Sequence, residues 1–131
     1  MHNGLDHLAI VVPDTDEALK TWRDKLGFTF LYSEVVNEGV VKLTHMDLGN
    51  TQLQLVEPLT PDHPLQDWLK KNGPGLHHFC LKVDDVDQGK TDFEAAGITA
   101  APAPHQGTQG KRALFLSAAD TQNVQVELTG D

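Results

Sequence analysis

The feature that most restricts the fold of this chain is an internal repeat. The segment LDHLAIVVPDTDEALKTWRDKLGF, which begins at residue 5, is similar to LHHFCLKVDDVDQGKTDFEAAGI, which begins at residue 76. His7 and Asp14 match His78 and Asp85 at one constant spacing (78 − 7 = 71 and 85 − 14 = 71). A chain that repeats itself over this length is expected to build two similar supersecondary units.

Each copy of the repeat predicts a strand followed by a helix. An apolar run comes first and favours a strand. Asp14 with Glu17, and Asp85 with Gln88, then have the spacing of a capping box, which marks the start of a helix. A glycine follows each predicted helix, as is common at helix C-termini. The apolar spacing of the first helix places Leu19, Trp22 and Leu26 on one face.

Extended patterns follow both predicted helices. They are FTFLYSEVV, VVKLTHMDL and TQLQLVEP in the first half, and ITAAP, KRALFLS and VQVEL in the second. We therefore predict an α+β fold of two tandem βαβββ modules, about 5–58 and 76–128, within a single domain spanning 1–131. A short helical linker over 59–75 joins them, and the Pro/Gly/Gln-rich segment 101–111 is expected to be a mobile or ligand-covering loop.

Composition narrows the classes of partner and compartment. The formal net charge of −9 argues against nucleic acid as a partner, because phosphate binding needs clustered Lys and Arg. No apolar run approaches the roughly 18 residues of a membrane span. The one cysteine, Cys80, excludes an internal disulfide. With no apolar signal segment at the start, the chain is expected to be cytoplasmic.

Four polar residues of ligand type occupy equivalent places in the repeat. His7 and His78 lie on the two first strands, and Gln54 matches Glu127 on the two last strands (127 − 54 = 73). A polar side chain among apolar strand residues is costly to bury unless it has a partner. Two imidazoles, a carboxamide and a carboxylate suit a divalent first-row metal. The repeat thus predicts one metal site that needs both halves.

At this point the sequence resembles a known family. The segments LDHLAIVVPDTDEA, DLGNTQLQLVEP, WLKKNGPGLHHFCLKVDDV and GKRALFLSAADTQNVQVEL are similar to the vicinal oxygen chelate superfamily, which includes glyoxalase I, and most of all to its methylmalonyl-CoA epimerase branch. The resemblance implies a curved eight-stranded mixed sheet with the metal in its cup. It also implies a homodimer, His7, Gln54, His78 and Glu127 as ligands, and Co, Mn, Ni or Zn as the ion.

The resemblance implies epimerisation of a 2-methylmalonyl-CoA-like thioester through an enolate. Removing the proton on C2 and returning it from the other side needs a Lewis acid and acid/base groups. Glu127 is expected to be one such group. In some family members a glutamate stands where this chain has Lys42, which leaves three roles open: proton transfer, binding of the substrate carboxylate, or an ordinary surface lysine. Glu38 is a weaker candidate than Lys42 for the role of that glutamate.

A second departure concerns the part of the site that would bind CoA. Epimerases usually carry an HPK element where this chain has Ser117, Ala118 and Ala119. Lys111 and Arg112 remain as candidate ligands for substrate phosphate. Two other activities stay open at this stage: a glyoxalase I-type lactoylglutathione lyase that uses the same four ligands, and a non-catalytic ligand-binding or drug-binding protein of the same fold.

Overall fold

The structure is a computed structural model, and it describes residues 1–131 throughout. Its strands are β1 (Leu5–Val11), β2 (Thr29–Val36), β3 (Val41–Asp47), β4 (Gln52–Pro58), β5 (Gly75–Lys82), β6 (His105–Gln106), β7 (Arg112–Phe115) and β8 (Val126–Gly130). Its helices are α1 (Thr15–Leu19), which continues into a π-helical segment (Lys20–Lys25), α2 (Pro64–Asn72) and α3 (Val86–Ala95). The element order confirms the predicted α+β fold with βαβββ occurring twice.

All eight strands belong to one mixed sheet, in which β5 and β8 run parallel. The chain forms two compact units. The central unit is Leu8–His77, in which β2, β3 and β4 are antiparallel neighbours. The terminal unit combines Met1–His7 with His78–Asp131, and its strands follow the order β5, β8, β7, β6.

Two apolar clusters of the central unit lie on opposite faces of β3 and β4, because successive strand residues point to opposite sides. The first cluster, to which α1 contributes Leu19, consists of Ile10, Val12, Leu19, Met46, Leu53 and Leu55. The second, against which Leu65, Trp68 and Leu69 of α2 pack, consists of Ala9, Val11, Val36, Val41, Leu43 and Val56. A residue's place along β3 or β4 therefore decides which helix it faces.

Helix α1 begins as predicted but ends differently. The Asp14 carboxylate accepts a hydrogen bond from the Glu17 backbone N–H at 3.1 Å, which caps the helix. Leu26, predicted to share one helix face with Leu19, is 55% exposed, whereas Leu19 is buried. The π-helical segment explains this, since the Leu26 N–H bonds back to the Thr21 carbonyl at 2.9 Å. The extra residue in that turn rotates Leu26 away from the face of Leu19.

Helix α2 lies in the predicted linker. Pro64 occupies its first turn, and the His63 imidazole accepts a hydrogen bond from the Leu65 N–H at 3.1 Å. Gly73 ends the helix with a φ of 70°, a left-handed conformation that suits glycine. No helix in the structure is both long enough and apolar enough to cross a bilayer.

The terminal unit has its own apolar core beneath α3. Asp85 caps this helix by accepting a hydrogen bond from the Gln88 N–H at 2.8 Å, as predicted. The buried core residues are Val83, Val86, Phe93, Leu114, Leu116, Val126 and Leu128. They come from α3, β7, β8 and the segments beside them, so the core fixes β8 against β7.

Residues 98–111 differ from the prediction in two ways. The segment ITAAP, predicted as a strand, contributes only an isolated bridge between Ala100 and Leu116. Segment 101–111, predicted as a mobile or ligand-covering loop, contains the short strand β6, which pairs with β7. A strand of two residues is too short to show an alternating pattern in the sequence. It forms here by pairing with β7.

Candidate metal centre

Three of the four predicted ligands come together in the terminal unit. His7 lies on β1, His78 on β5 and Glu127 on β8. Their ligand atoms all lie within 4.8 Å of one another. The Glu127 Oε1 is 3.7 Å from the His7 Nε2 and 3.4 Å from the His78 Nε2. All three side chains are at least nine-tenths buried, so this is an interior cluster.

Strand pairing explains why these side chains converge. Cys80 on β5 is the partner of Glu127 on β8, and Phe115 on β7 pairs with Glu127 from the other side. Paired residues share a face of a sheet, and residues two apart on a strand share it too. His78 therefore projects from the same face as Glu127. His77, the neighbouring residue, points the other way, and its ring contacts Trp68 at 5.1 Å.

Asp6 orients His7. The Asp6 Oδ2 lies 2.7 Å from the His7 Nδ1, and this hydrogen bond holds the pKa of the Asp6 carboxyl below its usual range. An ionised Asp6 accepts the proton on Nδ1, so the lone pair of His7 lies on Nε2. That Nε2 atom is buried and has no hydrogen-bond partner. A carboxylate behind a histidine in this way is the usual support of a metal-binding imidazole.

The spacing of the cluster fits a metal better than direct hydrogen bonds. Bonds from Zn or a similar ion to N and O ligands are about 2.0–2.2 Å, which separates neighbouring ligand atoms by about 3–3.5 Å. The 3.4 and 3.7 Å distances between the imidazole nitrogens and Glu127 are close to that separation. Together with the partnerless His7 Nε2, this spacing makes His7, His78 and Glu127 a donor set that can hold a divalent cation.

The Glu127 carboxylate is stabilised in its ionised form. Burial raises its pKa, but the imidazoles of His105, His78 and His7 outweigh that effect and hold the pKa well below the usual range of a glutamate. An ionised carboxylate is both a metal ligand and a proton acceptor. Glu127 therefore has the charge state that either role requires.

His105 is a site residue that sequence reasoning assigned only to a loop. Its Nε2 is 3.1 Å from the Glu127 Oε2, and its ring stacks on Phe115 with centroids 5.6 Å apart. The feature that places His105 near Glu127 is the strand register of the terminal unit. His105 pairs with Ala113, and Ala113 with Thr129, two residues beyond Glu127. That feature appears only once the short strand β6 is known.

The same registers place Glu34 of the central unit at the position that corresponds to His105. Glu34 pairs with Leu43, and Leu43 with Val56, two residues beyond Gln54. The His45 Nε2 lies 2.6 Å from the Glu34 Oε2, and the His45 ring stacks on Tyr32 at 4.3 Å. His45 is thus a buried histidine bound to a carboxylate, and it is the register partner of Gln54.

Gln54 and Lys42 belong to the central unit and face opposite sides of the sheet. Gln54, with an exposure of 3%, is the partner of His45, and its Nε2 has no hydrogen-bond partner. A half-turn of the Gln54 amide would place its oxygen where the Nε2 atom now lies. Lys42 pairs with Glu57, three residues further along β4, and so faces the other side. Lys42 and Gln54 thus project from opposite faces of the paired strands β3 and β4, and the role of Lys42 stays a prediction.

The two candidate phosphate ligands differ in availability. The Arg112 guanidinium forms two hydrogen bonds of 2.9 Å to the Asp87 carboxylate on α3. That bidentate pair occupies the side of the fork that would bind a phosphate. Lys111 is exposed. Arg112 is therefore committed to a partner within the chain, whereas Lys111 is not shown in such a pair.

Cys80 lies beside the cluster without the properties of a nucleophile. Its side chain is fully buried, and burial raises the pKa of the thiol far above its ordinary value. Its Sγ and the ligand atoms of Asp6 and His7 lie within 4.8 Å of one another. The thiol form is a poor nucleophile, so Cys80 is a small packing residue at this position.

Comparison with known proteins agrees with the resemblance noted in the sequence. The profile of the Glyoxalase/Bleomycin resistance protein/Dioxygenase superfamily matches residues 6–115. A mitochondrial methylmalonyl-CoA epimerase of Mus musculus is 37% identical over 128 residues, 95% of this chain and 71% of the relative. An ethylmalonyl-CoA/methylmalonyl-CoA epimerase of Cereibacter sphaeroides is 32% identical over 131 residues, 98% of each chain.

A solved structure gives the same result for the fold. It is that of a variant methylmalonyl-CoA epimerase of Streptomyces coelicolor in complex with 2-nitronate-propionyl-CoA. The two chains superpose with a TM-score of 0.88 and 30% sequence identity, covering 100% of this chain and 99% of the other. The likeness extends over the whole βαβββ repeat.

Proposed function

This chain belongs to the glyoxalase/bleomycin resistance protein/dioxygenase superfamily, and on that premise we propose that it is a metal-dependent epimerase of a 2-methylmalonyl-CoA-like thioester. The chain is an epimerase-like isomerase, since relatives that match nearly its whole length are named methylmalonyl-CoA epimerases. The substrate, the metal and the enolate mechanism are the content of the proposal. Among its relatives are enzymes named for methylmalonyl-CoA, and one solved relative holds an acyl-CoA analogue.

The observation that carries the proposal is the cluster of His7, His78 and Glu127. Its three ligand atoms lie within 4.8 Å of one another, and the buried His7 Nε2 has no hydrogen-bond partner. Gln54 is proposed as the fourth ligand on the basis of the repeat and the resemblance. When bound, the ion supplies a Lewis acid for the substrate's thioester and carboxylate oxygens.

The protein's own residues move the proton. Glu127 is proposed to accept the proton from C2, leaving the electron pair delocalised onto the thioester carbonyl as an enolate, and to return it in the reverse direction. Inversion needs a second proton-transfer group for the other side of the substrate. We propose His45 for this role, because it is bound to Glu34 and lies on the strand face that carries Gln54, whereas Lys42 lies on the opposite strand face.

Lys111 is proposed as the contact for a substrate phosphate, since Arg112 is paired with Asp87. Lys111→Ala is expected to raise the KM for a CoA thioester several-fold and to leave kcat unchanged, because a contact with the substrate phosphate contributes equally to binding of the substrate and of the transition state. Steady-state kinetics measure both constants. Arg112→Ala is the matched comparison, and a larger effect on KM from that variant would reverse the assignment.

Solvent deuterium exchange tests the activity. We expect the enzyme loaded with Co²⁺ to incorporate deuterium at C2 of methylmalonyl-CoA and to invert that centre, and the chelated protein to do neither. Glu127→Gln, which keeps the shape but removes the base, should abolish both. If the metal-loaded protein exchanges no proton but converts the hemithioacetal of glutathione, the glyoxalase I-type alternative is correct. If it does neither, a ligand-binding protein is the remaining alternative.

A further inference from the structure

The two oxygens of Glu127 have different partners. Oε1 lies between the imidazoles of the proposed ligands, 3.7 Å from the His7 Nε2 and 3.4 Å from the His78 Nε2. Oε2 lies on the other side of the carboxylate, 3.1 Å from the His105 Nε2, within hydrogen-bond distance. The structure thus separates an oxygen directed at the cluster from an oxygen held by His105.

His105 is held in place by sheet pairing and by an aromatic ring. Its backbone pairs with Ala113 of β7, which fixes its position along the sheet. Its imidazole stacks on Phe115 with an interplanar angle of 15°, and the same Phe115 ring meets the edge of His78 at 5.0 Å. One aromatic side chain therefore supports both a proposed ligand and the histidine that contacts Glu127.

The turn after β6 is closed tightly against β7. The Gly107 N–H donates to the Lys111 carbonyl at 2.8 Å, and the Lys111 N–H donates to the Thr108 carbonyl at 3.0 Å. A Cβ on Gly107 would lie 2.9 Å from the Ala113 Cβ, which is closer than side-chain carbons normally approach. Glycine at this position lets β6 approach β7 closely enough to bring His105 to Glu127.

From this geometry we propose that His105 is a positioning residue for Glu127. By donating a hydrogen bond from its Nε2 to the Glu127 Oε2, it fixes the carboxylate so that Oε1 is the oxygen presented to His7, His78 and a bound cation. This inference rests on the proposed metal site and adds a residue outside the predicted ligand set. Partners that orient a metal ligand commonly change metal affinity by about 10–100-fold when removed.

Co²⁺ titration of four proteins tests the proposal. His105→Ala is expected to raise the Kd for Co²⁺ by about 10–100-fold relative to the unaltered chain. His105→Gln keeps an N–H donor near the Glu127 Oε2 and should recover most of the affinity. His2→Ala removes an exposed histidine elsewhere and should bind like the unaltered chain. A His105→Ala protein that binds Co²⁺ as tightly as the unaltered chain would overturn the proposal and leave the epimerase assignment intact.

Nitrogen-15 NMR of the metal-free protein supplies an independent reading. The His105 imidazole is expected to carry its proton on Nε2, and Glu127→Gln should shift that resonance, whereas a merely structural histidine would not respond. Failure of the resonance to respond would count against the hydrogen bond itself. If the unaltered chain binds no Co²⁺ at all, the proposed function fails, and the positioning role fails with it.

Gly107→Ala tests the same role without removing a polar group. Its added methyl group should push β6 away from Ala113, lengthen the contact of His105 with Glu127 and weaken Co²⁺ binding in the same direction as His105→Ala. Gly75→Ala is the matched control, because a Cβ at Gly75 would meet no atom within 4 Å. Equal Co²⁺ affinity in the two glycine variants would contradict the proposed role of the turn.

Discussion

At the scale of single residues, the adjacent histidines on β5 have different environments because strand residues alternate in direction. His78 faces Glu127 and contacts the Phe115 ring, whereas the His77 ring contacts Trp68. The constant spacing to His7 selects His78 in the sequence. His105 could not be found that way, because its contact with Glu127 spans 22 residues and depends on a strand of two residues.

Asp6→Asn is expected to reduce stability at neutral pH and to have little effect in acid. The hydrogen bond with His7 lowers the pKa of Asp6 in the folded chain. A carboxyl with a depressed folded pKa stabilises the fold above its unfolded pKa, about 3.9, and loses that contribution as the pH falls through the folded value. Thermal unfolding between pH 3 and pH 7 measures the difference, with the exposed Asp62→Asn as control. A Tm difference independent of pH would contradict this assignment.

At the scale of elements, caps and strand alternation are local and were predictable, whereas helix type and strand ends were not. Asp14 and Asp85 cap their helices as their spacing predicts. The exposure of Leu26 follows from the π-helical turn, which no residue pattern marked. The register of β3 against β4, which turns Lys42 away from Gln54, depends on the hairpin between them rather than on composition.

Lys42→Ala is expected to change the rate of deuterium exchange into methylmalonyl-CoA by no more than about twofold, because the register directs Lys42 away from the face of Gln54. His45→Gln should slow inversion at C2 by about 100-fold or more, as expected when a general acid or base is lost. Parallel assays of exchange and inversion measure both variants. A large loss with Lys42→Ala and none with His45→Gln would restore Lys42 as the second acid/base.

Gly130→Ala is expected to destabilise the terminal unit by about 1–3 kcal/mol or more, as overpacking does. A Cβ at Gly130 would lie 2.2 Å from the Val83 backbone oxygen, so β8 or the strand end beside it must move. Urea unfolding measures the change. Gly75→Ala, which meets no nearby atom, is the matched control, and equal free energies of unfolding would contradict the packing argument.

At the scale of the whole molecule, the repeat predicted the number and order of elements because each half folds by the same local rules. The repeat also has chemical differences that the spacing did not reveal. The central unit has Gln54, His45 and Glu34 at the register positions where the terminal unit has Glu127, Phe115 and His105. Homodimerisation stays a prediction from the resemblance, and light scattering would measure the mass that tests it.

X-ray absorption spectroscopy of the Co²⁺-loaded protein tests the proposed metal site directly. The proposed site predicts a first shell with two imidazoles together with oxygen ligands, because His7 and His78 supply nitrogen and Glu127 supplies oxygen. His7→Ala should remove one imidazole from that shell, and the helix-capping variant His63→Ala should leave it unchanged. A shell without imidazole scattering, or one that His7→Ala does not alter, would contradict the assignment of His7 and His78 as metal ligands.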